Sequence, residues 1–137
     1  MKELILWLST YLFVFLSSVF FKNQINCPHC ISIGIIIITI GFAIWILAKI
    51  EIEKVKVEIV PDKLITTGIY SKIRHPLYLG VKIMAIGIAL LFQSFTGLIF
   101  ILLLLFPYHF YRIKREDVAL AKKFGSKYLD YRKKTLF

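Results

Sequence analysis

The sequence predicts an all-α integral membrane protein, a single domain of about four transmembrane helices with a C-terminal helical hairpin. Two observations carry this prediction: 58% of the 137 residues are hydrophobic, and the charged residues, 19% of the chain, flank long apolar runs. Soluble domains are roughly 45–50% apolar. The composition therefore excludes a disordered chain and argues against a water-soluble globule.

Two apolar runs lie in the N-terminal part, residues 1–50. Leu4–Phe21 and Ile31–Ala48 each contain 18 residues without a charge. A helix that crosses a bilayer needs about 20 mostly apolar residues, with a range of roughly 17–25. Each run therefore predicts one span.

The third apolar run, Ile83–Tyr111, contains 29 residues without a charge. A single helix of that length would measure about 44 Å, whereas the hydrocarbon core is about 30 Å thick. Polar residues interrupt the run at Gln93–Gly97. We therefore predict a helical hairpin over residues 76–111, with arms at Pro76–Phe92 and Gly97–Tyr111.

The placement of the basic residues predicts the orientation. The net charge is +10, from 18 Lys and Arg against 8 Asp and Glu. With four spans, Lys2, the loop 49–75 and the tail 112–137 share one side, while the opposite side holds only Lys22. Positive residues stay in the cytoplasm, so both termini and the connector 51–75 are predicted to be cytoplasmic. Three spans would separate six basic residues of the loop from nine in the tail.

The motif Cys27-Pro28-His29-Cys30 lies on the predicted outer side. A C-x-x-C motif is typical of thioredoxin-type redox sites, but no βαβ scaffold accompanies it here. Two cysteines and one histidine supply only three of the four ligands of a structural zinc site, so we predict no metal site. A structural disulfide or two idle thiols fit the motif better.

The connector leads to a helix start at the membrane boundary. In residues 50–60 apolar and charged side chains partly alternate, which predicts either a short strand or an extension of the second span. Pro76 suits the first turn of a helix and keeps His75 out of the α region. Free N–H groups at such a start favour an anion. Tyr70 and Tyr78 supply aromatic faces, and Gly80 leaves room for a close ligand. An interfacial belt of aromatic and cationic side chains also explains the aromatic residues.

The start of the tail carries two charged residues on one helix face. Arg112 and Glu116 are four residues apart, and Asp117 follows. Arg before Glu is the weaker order for an ion pair, so we interpret these side chains as a polar ligand site. The helix is predicted to run through Pro107 and to stop at Gly125.

The end of the tail is predicted to pack on that helix and to contact lipid. Tyr128 and Tyr131 can pack back on the helix. The closing basic residues Arg132, Lys133 and Lys134 are typical of contact with anionic lipid, and no motif for reading nucleic acid accompanies them.

Two strings in residues 62–131 resemble a known family. L-I-T-T-G-I-Y-S-K-I-R-H-P-L-Y-L-G and R-I-K-R-E-D-V-A-L-A-K-K-F-G-S-K-Y-L-D-Y are similar to the isoprenylcysteine carboxyl methyltransferases, whose core the phospholipid methyltransferases share. The resemblance implies S-adenosylmethionine as cofactor, with S-adenosylhomocysteine as product, and no Rossmann domain. The sequence indeed has no G-x-G-x-x-G motif.

The resemblance also implies roles for individual residues. Arg112 would face the methyl acceptor as the catalytic residue. The expected cofactor-binding residues are Leu64, Ile65, Tyr70, His75, Pro76, Leu77, Tyr78 and Glu116. The sequence departs from the family pattern at Asp62, Ile69 and Asp117.

The expected function is methylation of a lipidic or hydrophobic acceptor, favouring a carboxylate such as that of an isoprenylcysteine. A carboxylate is already a nucleophile at neutral pH, and Arg112 suits it. A lipid amine or another small hydrophobic molecule is the alternative, with His75 as the base. The non-enzymatic alternative is a membrane protein whose basic tail binds lipid. Membrane lipids and a second copy of the chain are the other expected partners.

Overall fold

The computed structural model describes residues 2–57 and 63–136, where every regular element is a helix. The prediction of an all-α protein is confirmed. The elements are α1 (Lys2–Phe20), α2 (Cys30–Val57), a 3₁₀ turn (Gly68–Ser71), α3 (Pro76–Leu91), α4 (Phe95–Phe124) and α5 (Ser126–Lys134).

Two of the described helices are long and apolar enough to cross a membrane. They are Cys30–Lys54 within α2 and the whole of α4, whereas α3 and the Ser9–Phe20 part of α1 are shorter apolar helices. Together with the composition, these helices indicate a membrane protein. Four spans remain a prediction.

The end of α2 decides between the two structures predicted for residues 50–60. The helix continues to Val57, so this part extends the second apolar helix and is not a strand. Residues 58–60 lie outside the described part of the chain.

Helices α2 and α3 pack antiparallel with their backbones in contact at two pairs of glycines. A Cβ atom on Gly34 would lie 2.7 Å from the carbonyl oxygen of Gly87, and one on Gly41 would lie 2.7 Å from that of Gly80. The two glycines of each helix are seven residues apart and share a face. Gly80 therefore serves this packing, and the sequence-based idea that it leaves room for a ligand is wrong. The pairing places the start of α3 beside the C-terminal half of α2.

The break between α3 and α4 is shorter than predicted. The second arm begins at Phe95 rather than Gly97, because buried Ser94 caps the helix and its Oγ accepts a hydrogen bond from Gly97 N at 3.0 Å. A serine cap satisfies one free N–H of the first turn, so the polar residues begin a helix as well as interrupt one. Gln93 makes the turn with a positive φ of 51°.

Helix α4 continues without a break to Phe124, and Gly125 follows it, as predicted. Its segment Ile101–Leu105 is a π-helix directly before Phe106 and Pro107. Proline has no N–H to donate and clashes with the carbonyl group four residues back in a regular α-helix. A wider turn at this point accommodates it.

The turn between α1 and α2 lies at the same end of the bundle as the break after α3. Asn23 N donates to Phe92 O at 2.9 Å, and Ile25 N donates to Gln93 O at 2.9 Å. Cys27 and Cys30 form a disulfide at the start of α2. Of the two alternatives left open, the structure contains the disulfide. The connector and α5 lie at the opposite end.

Candidate active site

Of the predicted connector, residues 51–57 belong to α2, and the described residues that follow, 63–75, are folded against the end of that helix. Thr67 Oγ1 donates to Glu51 Oε2 at 2.8 Å, and Lys54 Nζ lies 2.8 Å from Glu51 Oε1. Gly68 follows with a φ of +54°, a conformation that suits glycine. The turn that it opens brings Tyr70 over the site.

His75 lies at the N-cap of α3, with Pro76 at the first helical position, as predicted. Its side chain is only 2% exposed. The Nε2 atom lies 2.7 Å from Asp117 Oδ1, and the Nδ1 atom lies 3.9 Å from Glu116 Oε2. The start of α3 and the middle of α4 are thus joined through one imidazole ring and two carboxylates.

Two further polar groups approach the same oxygen of Asp117, Oδ1. The Tyr128 hydroxyl donates a short hydrogen bond to Asp117 Oδ1 from α5, and Arg74 Nε lies 3.5 Å away. Burial, followed by the bonded Asp117 carboxylate, raises the pKa of Tyr128 well above its usual value, which keeps the hydroxyl a donor. One carboxylate therefore connects the connector, α3, α4 and α5.

The end of the chain fastens the connector. Tyr131 Oη donates to Tyr70 O at 2.7 Å, a contact with the connector that the sequence does not predict. Leu136 pairs with residues 72–74: Arg74 N donates to Leu136 O at 3.0 Å, and Leu136 N donates to Lys72 O at 2.8 Å. Burial raises the pKa of Tyr131 to about 12. The hydroxyl is therefore protonated at neutral pH and holds the connector against α5.

These elements enclose a mostly apolar cavity of about 200 Å³. Five of the eight expected cofactor residues line it: Leu64, Ile65, Tyr70, Leu77 and Glu116. The other lining residues are Ile52, Lys63, Arg74, Leu120, Phe124 and Tyr131. The structure therefore brings the connector residues and the tail residue together, although about 40–50 positions separate them in the sequence.

A second, polar cavity of about 340 Å³ lies on the other side of Glu116. It is lined by Tyr78, Arg112, Arg115 and Glu116. The Tyr78 hydroxyl interacts with both Arg112 and Glu116. Glu116 lines both cavities, so one carboxylate stands at their junction.

His75 and Pro76 line neither of these two cavities. Both are buried beside the site, and His75 meets two residues that line it: its Nδ1 lies 3.9 Å from Glu116 Oε2, and its ring centroid lies 6.0 Å from that of Tyr78. Of the three departures, Asp62 lies outside the described residues, Ile69 lies in the 3₁₀ turn, and Asp117 makes the contacts given above.

A buried histidine below the polar cavity was missed by sequence reasoning. His109 on α4 is fully buried, and its Nε2 shares a short hydrogen bond with the Tyr11 hydroxyl of α1. Its ring centroid lies 5.2 Å from that of Tyr78. Its position one turn before Arg112 was the available signal. Arg115 was also missed, because its charge is one of several in a basic segment.

The comparisons with known proteins agree with the resemblance found in the sequence. A family model described as "Phospholipid methyltransferase" matches residues 27–127. The "Protein-S-isoprenylcysteine O-methyltransferase" of Schizosaccharomyces pombe is 39% identical over 71 residues, which are 52% of this chain and 30% of that protein. The protein of that name from Saccharomyces cerevisiae is 37% identical over 71 residues, again 52% and 30%.

A longer match is found in a plant protein. The "Probable protein-S-isoprenylcysteine O-methyltransferase" of Oryza sativa subsp. indica is 29% identical over 108 residues, 74% of this chain and 56% of that protein. The chain thus spans between about a third and about half of the length of these relatives. No solved structure matches it. Since the family model covers most of the chain and the resemblance is confirmed, this chain belongs to the phospholipid methyltransferase family.

Proposed function

We propose that the chain transfers a methyl group from S-adenosylmethionine to a lipidic carboxylate, such as that of an isoprenylcysteine. The observation that carries the proposal is the pair of cavities that share Glu116. Methyl transfer needs two ligands brought end to end, in line and away from water. Two adjoining cavities with one carboxylate at their junction suit that requirement.

The mostly apolar cavity fits the cofactor. Leu64, Ile65 and Leu77 supply apolar walls, and Tyr70 an aromatic one, for a nucleoside. The Glu116 carboxylate suits the cationic end of the molecule. When bound, the cofactor supplies an electrophilic methyl group on a sulfonium. The residues around it bind, orient and exclude water.

The polar cavity fits an anionic acceptor. Arg112 and Arg115 both line it, and a guanidinium binds a carboxylate through two parallel hydrogen bonds. The Tyr78 hydroxyl offers a further polar contact. A carboxylate is ionised at neutral pH and attacks without a general base, so the work of Arg112 is to hold and aim it.

A third cavity supports a lipidic acceptor. It measures about 210 Å³, is almost wholly apolar, and lies between α1 and α3, lined by Tyr11, Val14, Phe15, Val81, Met84, Ala85 and Ile88. Tyr11 bonds His109, and His109 packs on Tyr78 of the polar cavity. An alkyl chain in this third cavity would therefore be separated from the polar cavity by one layer of side chains.

The membrane arrangement is part of the proposal. Four spans, made by α1, α2, α3 and the first half of α4, with α3 and α4 as a hairpin, place both termini and the connector in the cytoplasm. The basic loop and tail then share one side, as the positive-inside rule requires. In this arrangement the mostly apolar cavity proposed for the cofactor faces the cytosol, and the third cavity, between α1 and α3, faces the bilayer.

Methylation of a lipid amine is the second candidate. Two guanidinium groups in one cavity also suit a phosphate, and the matching family model carries the name of phospholipid methylation. An amine must lose a proton before it attacks. His75 Nδ1 lies 3.9 Å from Glu116 Oε2, and it would be the group to accept that proton.

Titration calorimetry of S-adenosylhomocysteine into the detergent-purified chain tests the cofactor site. We expect micromolar binding by the wild type and a loss of at least about tenfold in Glu116→Ala, since a charge-assisted contact contributes roughly 1.5–3 kcal/mol. Glu53→Ala is the matched control, because Glu53 is an exposed acid on α2 that lines none of the three cavities. Absence of binding by a folded wild type would favour the non-catalytic protein with a lipid-binding tail.

The acceptor is tested by comparing methylation of a prenylated cysteine with methylation of a phospholipid amine. We expect a product ester that base hydrolyses, and at least about a tenfold loss of kcat/KM in Arg112→Ala. Arg132→Ala, in the exposed basic run of α5, is the control and should change little. Full activity of Arg112→Ala on the acid would remove Arg112 from its proposed role, and methylation of the amine alone would select the second candidate.

A further inference from the structure

Asp117, to which the family resemblance assigns no role, is surrounded by three donors. His75 Nε2, the Tyr128 hydroxyl and Arg74 Nε all approach its Oδ1 atom, at 2.7 Å for His75 and 3.5 Å for Arg74. The Asp117 side chain is 14% exposed, and that of His75 is 2% exposed. Asp117 lines neither the mostly apolar nor the polar cavity. Its contacts therefore point to a role behind the site.

The hydrogen bonds at this carboxylate determine where the proton of His75 resides. An ionised carboxylate only accepts hydrogen bonds, and the Arg74 guanidinium beside it favours the ionised form. The hydrogen between Nε2 and Oδ1 must therefore belong to Nε2. In the neutral imidazole, Nδ1 then carries the lone pair.

That lone pair faces a second acceptor. His75 Nδ1 and Glu116 Oε2 are 3.9 Å apart, too far for a direct hydrogen bond but close enough to share one N–H-bearing cation. Glu116 lines both cavities. With the opposite tautomer, an N–H at Nδ1 would face this site, and the cation would lose one of its two acceptors.

We propose that Asp117 is a positioning residue that holds His75 as the Nε2–H tautomer, so that Nδ1 and Glu116 together accept hydrogen bonds from a ligand ammonium. The inference rests on the proposed function, in which that ammonium is the amino group of the cofactor. Asp117 itself touches neither ligand. Carboxylates elsewhere fix histidine tautomers in the same way.

Nitrogen-15 NMR of the imidazole side chains in the ligand-free, detergent-purified chain tests the tautomer directly. The chain has three histidines, and a His75→Gln variant identifies the signals of His75. We expect the proton on Nε2 in the wild type and a mixture of tautomers in Asp117→Asn, because an amide can donate as well as accept. Proton attachment at Nδ1 in the wild type, or no change in Asp117→Asn, would overturn the proposal.

Two further variants separate positioning from general structural damage. Asp117→Glu keeps a carboxylate and should restore the Nε2–H tautomer. Tyr128→Phe removes another partner of the same oxygen and should leave the tautomer unchanged. If Tyr128→Phe shifted the tautomer as much as Asp117→Asn, a general loosening of the contacts around Asp117 would explain both results. Asp117 would then have no specific role in positioning His75.

Binding of S-adenosylhomocysteine to the same samples links the tautomer to the ligand. We expect Asp117→Asn to weaken binding about tenfold, the loss of one hydrogen bond to a charged group, and Asp117→Glu to recover it. Binding unchanged in an Asp117→Asn variant with shifted tautomers would overturn the link. If the wild type binds nothing while the tautomer responds to Asp117→Asn, the proposed function fails and the positioning role stands.

Discussion

Helices α2 and α3 pack with their backbones in contact at paired glycines. At the start of α3, beside α4 and α5, the contacts are made instead by charged and hydroxyl-bearing side chains. The first region has Gly34 against Gly87 and Gly41 against Gly80. The second has Asp117 with three donors around one oxygen. Inside a bilayer, lipid removes the hydrophobic advantage of packing, so helices associate through close contact of small residues. At the boundary, desolvated polar groups can define one geometry.

The largest effect should come from filling the glycine contact. In Gly41→Val, the Cβ atom alone would lie 2.7 Å from both Gly80 O and Met84 N, which are backbone atoms that cannot move aside singly. We expect a loss of about 3 kcal/mol in the free energy of unfolding, the upper end for overpacking, measured by denaturant titration in micelles. Ile36→Val, at a site 58% exposed, is the control. An unchanged midpoint for Gly41→Val would mean that the helices do not approach this closely.

A medium effect on stability is expected from removing one hydroxyl where the connector meets α5. Tyr131→Phe removes the hydrogen bond to Tyr70 O and should cost about 1 kcal/mol in unfolding free energy. Burial raises the pKa of Tyr131 to about 12 from an unfolded value of about 10. A group with a raised folded pKa contributes fully below its unfolded pKa, so the difference between wild type and variant should shrink between about pH 10 and about pH 12.

Tyr111→Phe serves as the control for that measurement. Tyr111 is 56% exposed, and its hydroxyl accepts only a long, exposed hydrogen bond from Arg115 Nη1 at 3.5 Å, so water can replace that partner in either state. Its removal should leave the midpoint unchanged at every pH. A pH-independent difference for Tyr131→Phe would show that ionisation of this hydroxyl does not contribute to stability.

The contrast between the regions also explains what the sequence could predict. The helices follow from local rules: apolar runs, Pro76 at a helix start and Gly125 at a helix end were all read correctly. Five residues that line the mostly apolar cavity, from the connector, α3 and the tail, were identified by motif, and the fold brings them together. Local chemistry is visible in a sequence because its causes lie a few residues apart.

Contacts between distant segments were not visible. Asp117 stood out only as a departure from a pattern, since its partners His75 and Tyr128 come from positions 42 residues before it and 11 after it. The sequence suggests a ligand beside Gly80, because nothing local pairs this residue with Gly41. The sequence predicts Ser94 only as part of an interruption, whereas in the structure it caps the next helix. Each error concerns which partner a residue meets, and that depends on the fold.

The smallest effect should come from an exposed ion pair on the same helix as Tyr131. Lys133 Nζ lies 3.5 Å from Asp130 Oδ1, and the two side chains are 78% and 66% exposed. Water and salt screen such a pair, so Asp130→Asn should change the unfolding free energy by at most about 0.5 kcal/mol.

Because residues 130 and 131 are neighbours on α5, the two variants compare an exposed charge with a half-buried hydroxyl in one helix. Denaturant midpoints at low and high salt provide the measurement, and the small effect of Asp130→Asn should vanish in high salt. If Asp130→Asn cost as much as Tyr131→Phe, surface charge on α5 would hold the connector. If it costs nothing, the connector is held by groups that folding partly removes from water, which is why a single part-buried oxygen of Asp117 can join four segments of the chain.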